Sequence, residues 1–114
     1  LKRADSYLKA GSDGIMIHSK EKNPKEIFEF ARKFRKKHKD VPLVCVPTSY
    51  NGVKESELIK KGFNIVIYAN QLFRASYPSM NDAAISILKN ERSKEIDKKL
   101  ISINQILNLI PGTI

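Results

Sequence analysis

Three short apolar runs, each ending abruptly in small or polar residues, organise this chain. Ile15-Met-Ile17 leads into His18, Ser19 and Lys20, Leu43-Val-Cys-Val46 into Pro47 and Thr48, and Ile65-Val-Ile-Tyr68 into Ala69 and Asn70. Such runs, bounded by turn-formers, predict buried strands over 14–18, 43–46 and 64–68. Between them the apolar positions recur at helical spacing. Leu1, Ala4 and Leu8, followed by Gly11, predict a helix over 1–10 with a glycine C-cap. Asn23 as N-cap, Pro24 in the first helical position and Glu26 reaching back to the cap open a second helix. Its stripe is Ile27, Phe30, Ala31 and Phe34, and it ends near His38. Glu57, Leu58 and Ile59 form a short helix closed by Gly62. From 71 to 90, Met80, Ala83, Ala84, Ile87 and Leu88 share a face, and Pro78 predicts a break or kink that makes the helix two-part. Ser93 is placed to cap a short helix carrying Ile96 and Leu100. Ser102 with Gln105 forms a capping box for a helix over 103–110, stopped by Pro111 and Gly112.

Alternating strands and helices make this an α/β chain with parallel strands and right-handed crossovers. Ile65, Val66 and Ile67 in succession predict burial on both faces of the sheet. A doubly wound open sheet and a (β/α)8 barrel both use this alternation, and three strands complete neither. The chain opens without methionine inside a predicted helix, as an excerpt of a longer protein would.

Composition narrows the class. Of 114 residues, 41% are hydrophobic, as in an ordinary soluble domain. No apolar run approaches the roughly 20 residues of a membrane span, and no signal peptide opens the chain, so a cytoplasmic protein with no membrane partner is expected. Cys45, the single cysteine, falls inside a predicted strand as a small buried hydrophobe. The net charge of +9 is the outlier, concentrated at Lys33, Arg35, Lys36, Lys37 and Lys39. A non-catalytic basic module binding nucleic acid is one reading of that patch. No stacking platform or helix-turn-helix accompanies it, and a solvated helix face, with no nucleic acid, is the preferred one.

Polar groups just past parallel strands sit where such sheets bind ligands. His18 is therefore a catalytic or binding candidate, although a strand-end histidine also occurs as a hydrogen-bonded core edge. Thr48 and Asn70 either line the mouth of the sheet or cap the adjoining helices. Ser19 is a weaker candidate, and Lys20 begins a solvated loop.

In order and spacing, Asp13-Gly-Ile-Met-Ile-His-Ser-Lys20, Val46-Pro-Thr-Ser-Tyr50, Asn64-Ile-Val-Ile-Tyr-Ala-Asn70 with Leu72, Arg74, Ala75, Tyr77 and Pro78, and Ile106-Leu-Asn-Leu-Ile-Pro-Gly112 resemble the phosphoenolpyruvate phosphomutase family of the isocitrate lyase superfamily. The resemblance implies the C-terminal portion of a (β/α)8 TIM-type barrel, with residues 1–90 as β/α units and 91–114 as a C-terminal helical extension of the same domain. It implies an enzyme interconverting phosphoenolpyruvate and phosphonopyruvate with Mg2+, whose ligands lie upstream so that this segment supplies no metal ligand. A homo-oligomer exchanging a helix is also implied. His18 alone is carried over, in the place of the family histidine that approaches the transferring phosphoryl group; Ser19, Thr48 and Asn70 are substrate-binding candidates from their strand-end positions. Phosphonopyruvate hydrolase, sharing the strands and the histidine, is the rival activity.

Overall fold

The computed structural model describes residues 1–110 and Gly112. Along the chain run α1 (Lys2–Lys9), β1 (Ile15–Ile17), α2 (Lys25–Lys37), β2 (Leu43–Cys45), α3 (Glu55–Lys60), β3 (Ile65–Val66), α4 (Gln71–Asn90), a 3-10 turn (Asp97–Lys99) and α5 (Ile103–Leu107). They form two compact units, Leu1–Ala69 and Asn70–Ile114.

The first unit holds a three-stranded parallel sheet in the order β1-β2-β3. Ile15, Met16 and Ile17 pair with Leu43, Val44 and Cys45, and Val44 and Cys45 pair in turn with Ile65 and Val66. Side chains alternate between the two faces of each strand, so this register sorts the apolar residues into two sets. Ile15, Leu43 and Cys45 join Ile27, Ala31, Phe34, Leu58 and Phe63 in one core, with Ile17 and Val66 packed against it. The helical stripe of α2 thus covers one face, as its spacing predicts.

The other face differs from the expectation. Met16 is 63% exposed and Ile65 49%, so the sheet is buried on one side only. An Ile-Val-Ile run answers equally to helices on both sides or to helices outside and a filled barrel within. In a closed barrel this second face looks inward and meets side chains from the remaining strands.

Local signals place most boundaries. Gly11 and Gly62 follow α1 and α3 with φ of +97° and +93°, left-handed values that cost a residue with a Cβ. Pro24, not Asn23, is the N-cap of α2, which starts one residue later than its spacing predicts, while Asn23 still accepts the Lys25 N–H at 3.0 Å. Glu26 does not reach back to that cap; it accepts the Ser19 hydroxyl instead. His38 ends α2, where water was the expected surrounding. It lies against the Phe34 ring and its Nε2 meets the Asp5 carboxylate at 2.7 Å. Cys45 is fully buried, as expected, and burial pushes its thiol up to about 11, leaving it protonated and inert.

In the second unit α4 runs through Pro78 as one helix of 20 residues, against the expected two-part helix. The proline removes its own donor to the carbonyl four residues back and crowds that carbonyl, yet helical turns continue on either side. A 3-10 turn whose N-cap is Ile96, not Ser93, stands where the next helix was expected. The Ser102–Gln105 capping box forms in both directions at 3.2 Å. Helix α5 stops at Leu107, short of the expected 110, and Pro111 lies outside the described residues.

Candidate active site at the carboxyl ends of the strands

Parallel pairing brings the carboxyl ends of the three strands to one end of the sheet. His18 stands one residue beyond β1 and is exposed. Alternation along β1 puts it on the face that carries Met16, the face away from the core. Its ring has no hydrogen-bond partner among the described residues, and it lines an open cleft of about 560 Å3 along β1, with Arg3 and Tyr7 of α1 among the walls. β1 has a single neighbour in the sheet, so this edge is where a further strand adds when such a sheet closes.

Ser19 is turned the other way and buried. Its hydroxyl donates to Glu26 Oε2 at 2.6 Å and accepts the Glu21 N–H at 3.2 Å, tying the end of β1 to the first turn of α2. Thr48 follows β2 after Pro47, is half-buried, and donates its N–H to the Val46 carbonyl at 2.8 Å in a tight turn. Asn70 opens the second unit as the N-cap of α4, where its side chain makes no cap hydrogen bond. Beyond β3, the Tyr68 hydroxyl donates to Glu55 Oε1 at 2.8 Å, and the carboxylate beside it raises the phenol above its usual range.

At the opposite end of the sheet the polar groups are committed to structure. Arg35 of α2 donates through Nε and Nη2 to the Gly62 carbonyl at 2.8 and 2.6 Å. Through Nη1 it reaches the carbonyls of His38, Lys39 and Val41, the last at 2.6 Å. It also meets Asn64 Oδ1, which accepts the Leu43 N–H at 2.9 Å. One guanidinium thereby ties α2 to the loops entering β2 and β3. Sequence reasoning missed this clamp, because in the chain Arg35 is one of a run of cations and Gly62 stands 27 residues away.

None of this makes a metal centre. Among the described residues no group of three or more His, Cys, Asp or Glu could hold a metal ion. Mg2+ takes carboxylate, phosphate and water oxygens, and His18, Thr48 and Asn70 supply no carboxylate.

A sequentially ordered parallel sheet with helices over one face and polar groups past the strand ends is the arrangement found in part of a β/α barrel. Comparison with known proteins specifies it. The family model for phosphoenolpyruvate phosphomutase matches residues 1–88. The chain is 34% identical to phosphoenolpyruvate phosphomutase of Tetrahymena pyriformis, over 96% of its own length and 35% of the relative's. It is also 34% identical to phosphonopyruvate hydrolase of Variovorax sp. strain Pal2, over 96% and 37%. In structure it superposes on phosphoenolpyruvate phosphomutase from Streptomyces platensis with a TM-score of 0.84 at 30% identity, covering 96% of this chain and 37% of that one. Phosphonopyruvate hydrolase in complex with oxalate and Mg2+ gives a TM-score of 0.80 at 34% identity. This chain belongs to the phosphoenolpyruvate phosphomutase family, and its fold is a portion of a TIM-type barrel. It spans a little over a third of the length of the curated relatives it matches.

Proposed function

We propose that this segment is the C-terminal part of the barrel of an enzyme that interconverts phosphoenolpyruvate and phosphonopyruvate. Residues 1–90 supply β/α units and 91–114 a helical extension of that domain. In the forward direction the phosphoryl group leaves the enol oxygen, which becomes the ketone, and bonds to the former methylene carbon, so atoms and charge balance without a co-reactant. The observation that carries the reading is His18, exposed and without a hydrogen-bond partner among the described residues, at a strand's carboxyl end in a chain of this family. A loosely bound phosphoryl group in transit needs aimed donors more than covalent help, and an imidazole N–H is one. Thr48 is a further substrate-binding candidate in the first unit, and Asn70 is one in the second. Ser19 acts behind His18, holding the end of β1 to α2. Mg2+, the ion named in the hydrolase complex, would be held by residues outside this segment and would supply charge neutralisation there.

Replacing His18 by Ala in the complete protein removes one such donor, and turnover should fall roughly a hundredfold, about 3 kcal/mol, with the unfolding midpoint nearly unchanged. Near-wild-type turnover overturns the assignment. Hydrolysis of phosphonopyruvate is the second reading, because identity to the hydrolase equals identity to the mutase at 34%. Assaying the complete protein for pyruvate and free phosphate release from phosphonopyruvate separates them.

We further propose a cytoplasmic homo-oligomer that exchanges α4. Among the described residues no helix is long and apolar enough to cross a membrane. Leu72, Phe73, Tyr77, Met80, Ile87 and Leu88 of α4 are all exposed, an apolar surface that lone helices in water do not leave bare. Sedimentation of the complete protein should show a dimer or larger; a monomer refutes the exchange.

A further inference from the structure

We infer that Glu26 is a positioning residue for His18, acting through the Ser19 hydroxyl that it holds. The inference rests on the role proposed above for His18. β1 stops at Ile17, and from His18 to Asn23 the backbone makes no hydrogen bond to other backbone among the described residues. No ladder therefore fixes the imidazole where the strand leaves it. Ser19, next in the chain, ties this stretch down. Its side chain is buried, its hydroxyl donates to Glu26 Oε2 at 2.6 Å, and the same oxygen accepts the Glu21 N–H at 3.2 Å. A serine hydroxyl has one proton, and with Glu26 taking it the lone pairs are left for Glu21. The carboxylate thus sets the direction of both bonds, and with them the turn that follows His18.

The chemistry of the pair suits a fixed strut. At 2.6 Å the contact is in the range of hydroxyl bonds to an ionised carboxylate, which are roughly twice as strong as neutral ones. Glu26 stands in the first turn of α2, where the helix dipole favours negative charge, and its neighbour Ile27 is fully buried, with Ala31 and Phe34 seating the helix on the sheet. The hydroxyl past β3 is held in the same way, Tyr68 by Glu55 in the first turn of α3 at 2.8 Å. Glu26 also lies in the wall of the cleft that His18 lines. A carboxylate there repels an anionic phosphoryl substrate, so its part is to hold Ser19 and not to bind substrate.

Consumption of phosphonopyruvate by the complete protein, common to the mutase and hydrolase reactions, is the readout, taken per folded molecule with stability in urea measured alongside. Glu26→Ala should lower kcat roughly tenfold with KM nearly unchanged, because a donor that acts on the phosphoryl group in transit is misplaced while ground-state binding stays. Ser19→Ala should lose as much, and the double variant no more than either. Glu26→Gln keeps an acceptor oxygen and should recover most of the turnover. In a His18→Ala background, Glu26→Ala should cost nothing further. Should Ser19→Ala fail to fold by circular dichroism, the two Glu26 variants, at an exposed position, carry the comparison. Intact kcat in Glu26→Ala, additive losses from Ser19 and Glu26, or a full further loss in the His18→Ala background would each overturn the positioning role and leave His18 its own. Near-wild-type turnover of His18→Ala would remove both at once.

Discussion

Arg35 and His18, at opposite ends of the sheet, have opposite surroundings. At the end where the strands begin, Arg35 donates to four carbonyls and to Asn64, and Asn64 in turn accepts from the backbone of β2. At the end where they finish, His18 is exposed and its ring unpartnered among the described residues. A donor whose bonds are satisfied internally contributes stability, whereas a donor left without partners costs stability or waits for a ligand. In β/α barrels this asymmetry divides a stabilising face from a reactive one. Ser19 shows how sharply the division is drawn. It is adjacent to His18 in the chain, yet buried and bonded to Glu26, because alternation along β1 turns it to the helix side.

The widest separation of the two ends should come from Arg35→Met. Carbonyls of Gly62 and Val41 lose a charged donor, and stability in urea should fall by about 3 kcal/mol, the range for lost hydrogen bonds to a charged group. Turnover per folded molecule should hardly move, the reverse of the pattern expected for His18→Ala. Loss of activity without loss of stability in Arg35→Met would break the comparison.

A smaller effect is expected at Gly62. An alanine there would hold φ near +93° and bring its Cβ within 2.9 Å of Arg35 Cγ, a side chain that its hydrogen bonds keep from moving aside. Gly62→Ala should cost about 2 kcal/mol alone, and only about 1 kcal/mol, the backbone part, when combined with Arg35→Met. Urea titration of the four proteins in that cycle measures the difference. Strict additivity would show that the clamp and the glycine act independently.

The smallest effect belongs to Asp5. Lys37 donates to it at 2.6 Å, and His38 contributes a second hydrogen bond; together they hold its carboxyl at about 2, below the ordinary 3.8. Because the folded value lies below the unfolded one, this contribution is fully present above pH ~4 and is lost as the pH falls through ~2. Thermal unfolding between those pH values should fall less steeply for Asp5→Asn than for the parent. Identical slopes would remove Asp5 from the stabilising contacts of α2.

Features that depend on a few neighbouring residues were legible in the chain. Gly11 and Gly62 mark helix ends because only glycine adopts positive φ without steric cost, and Ser102 with Gln105 forms its capping box between residues three apart. The three strand runs, the stripe of α2, the burial of Cys45 and the parallel α/β class follow from periodicity in the same way. Contacts between distant segments were not legible. Nothing local distinguishes Arg35 from Lys33 or Lys36, and only the approach of Gly62, Val41 and Asn64 makes it a clamp. Pro78 reads as a break by local rules, yet α4 continues through it. Which face of the Ile65-Val66-Ile67 run is covered, and whether His18 or Ser19 turns away from the core, is decided by strand register against α2, a long-range packing choice that a one-residue slip would invert.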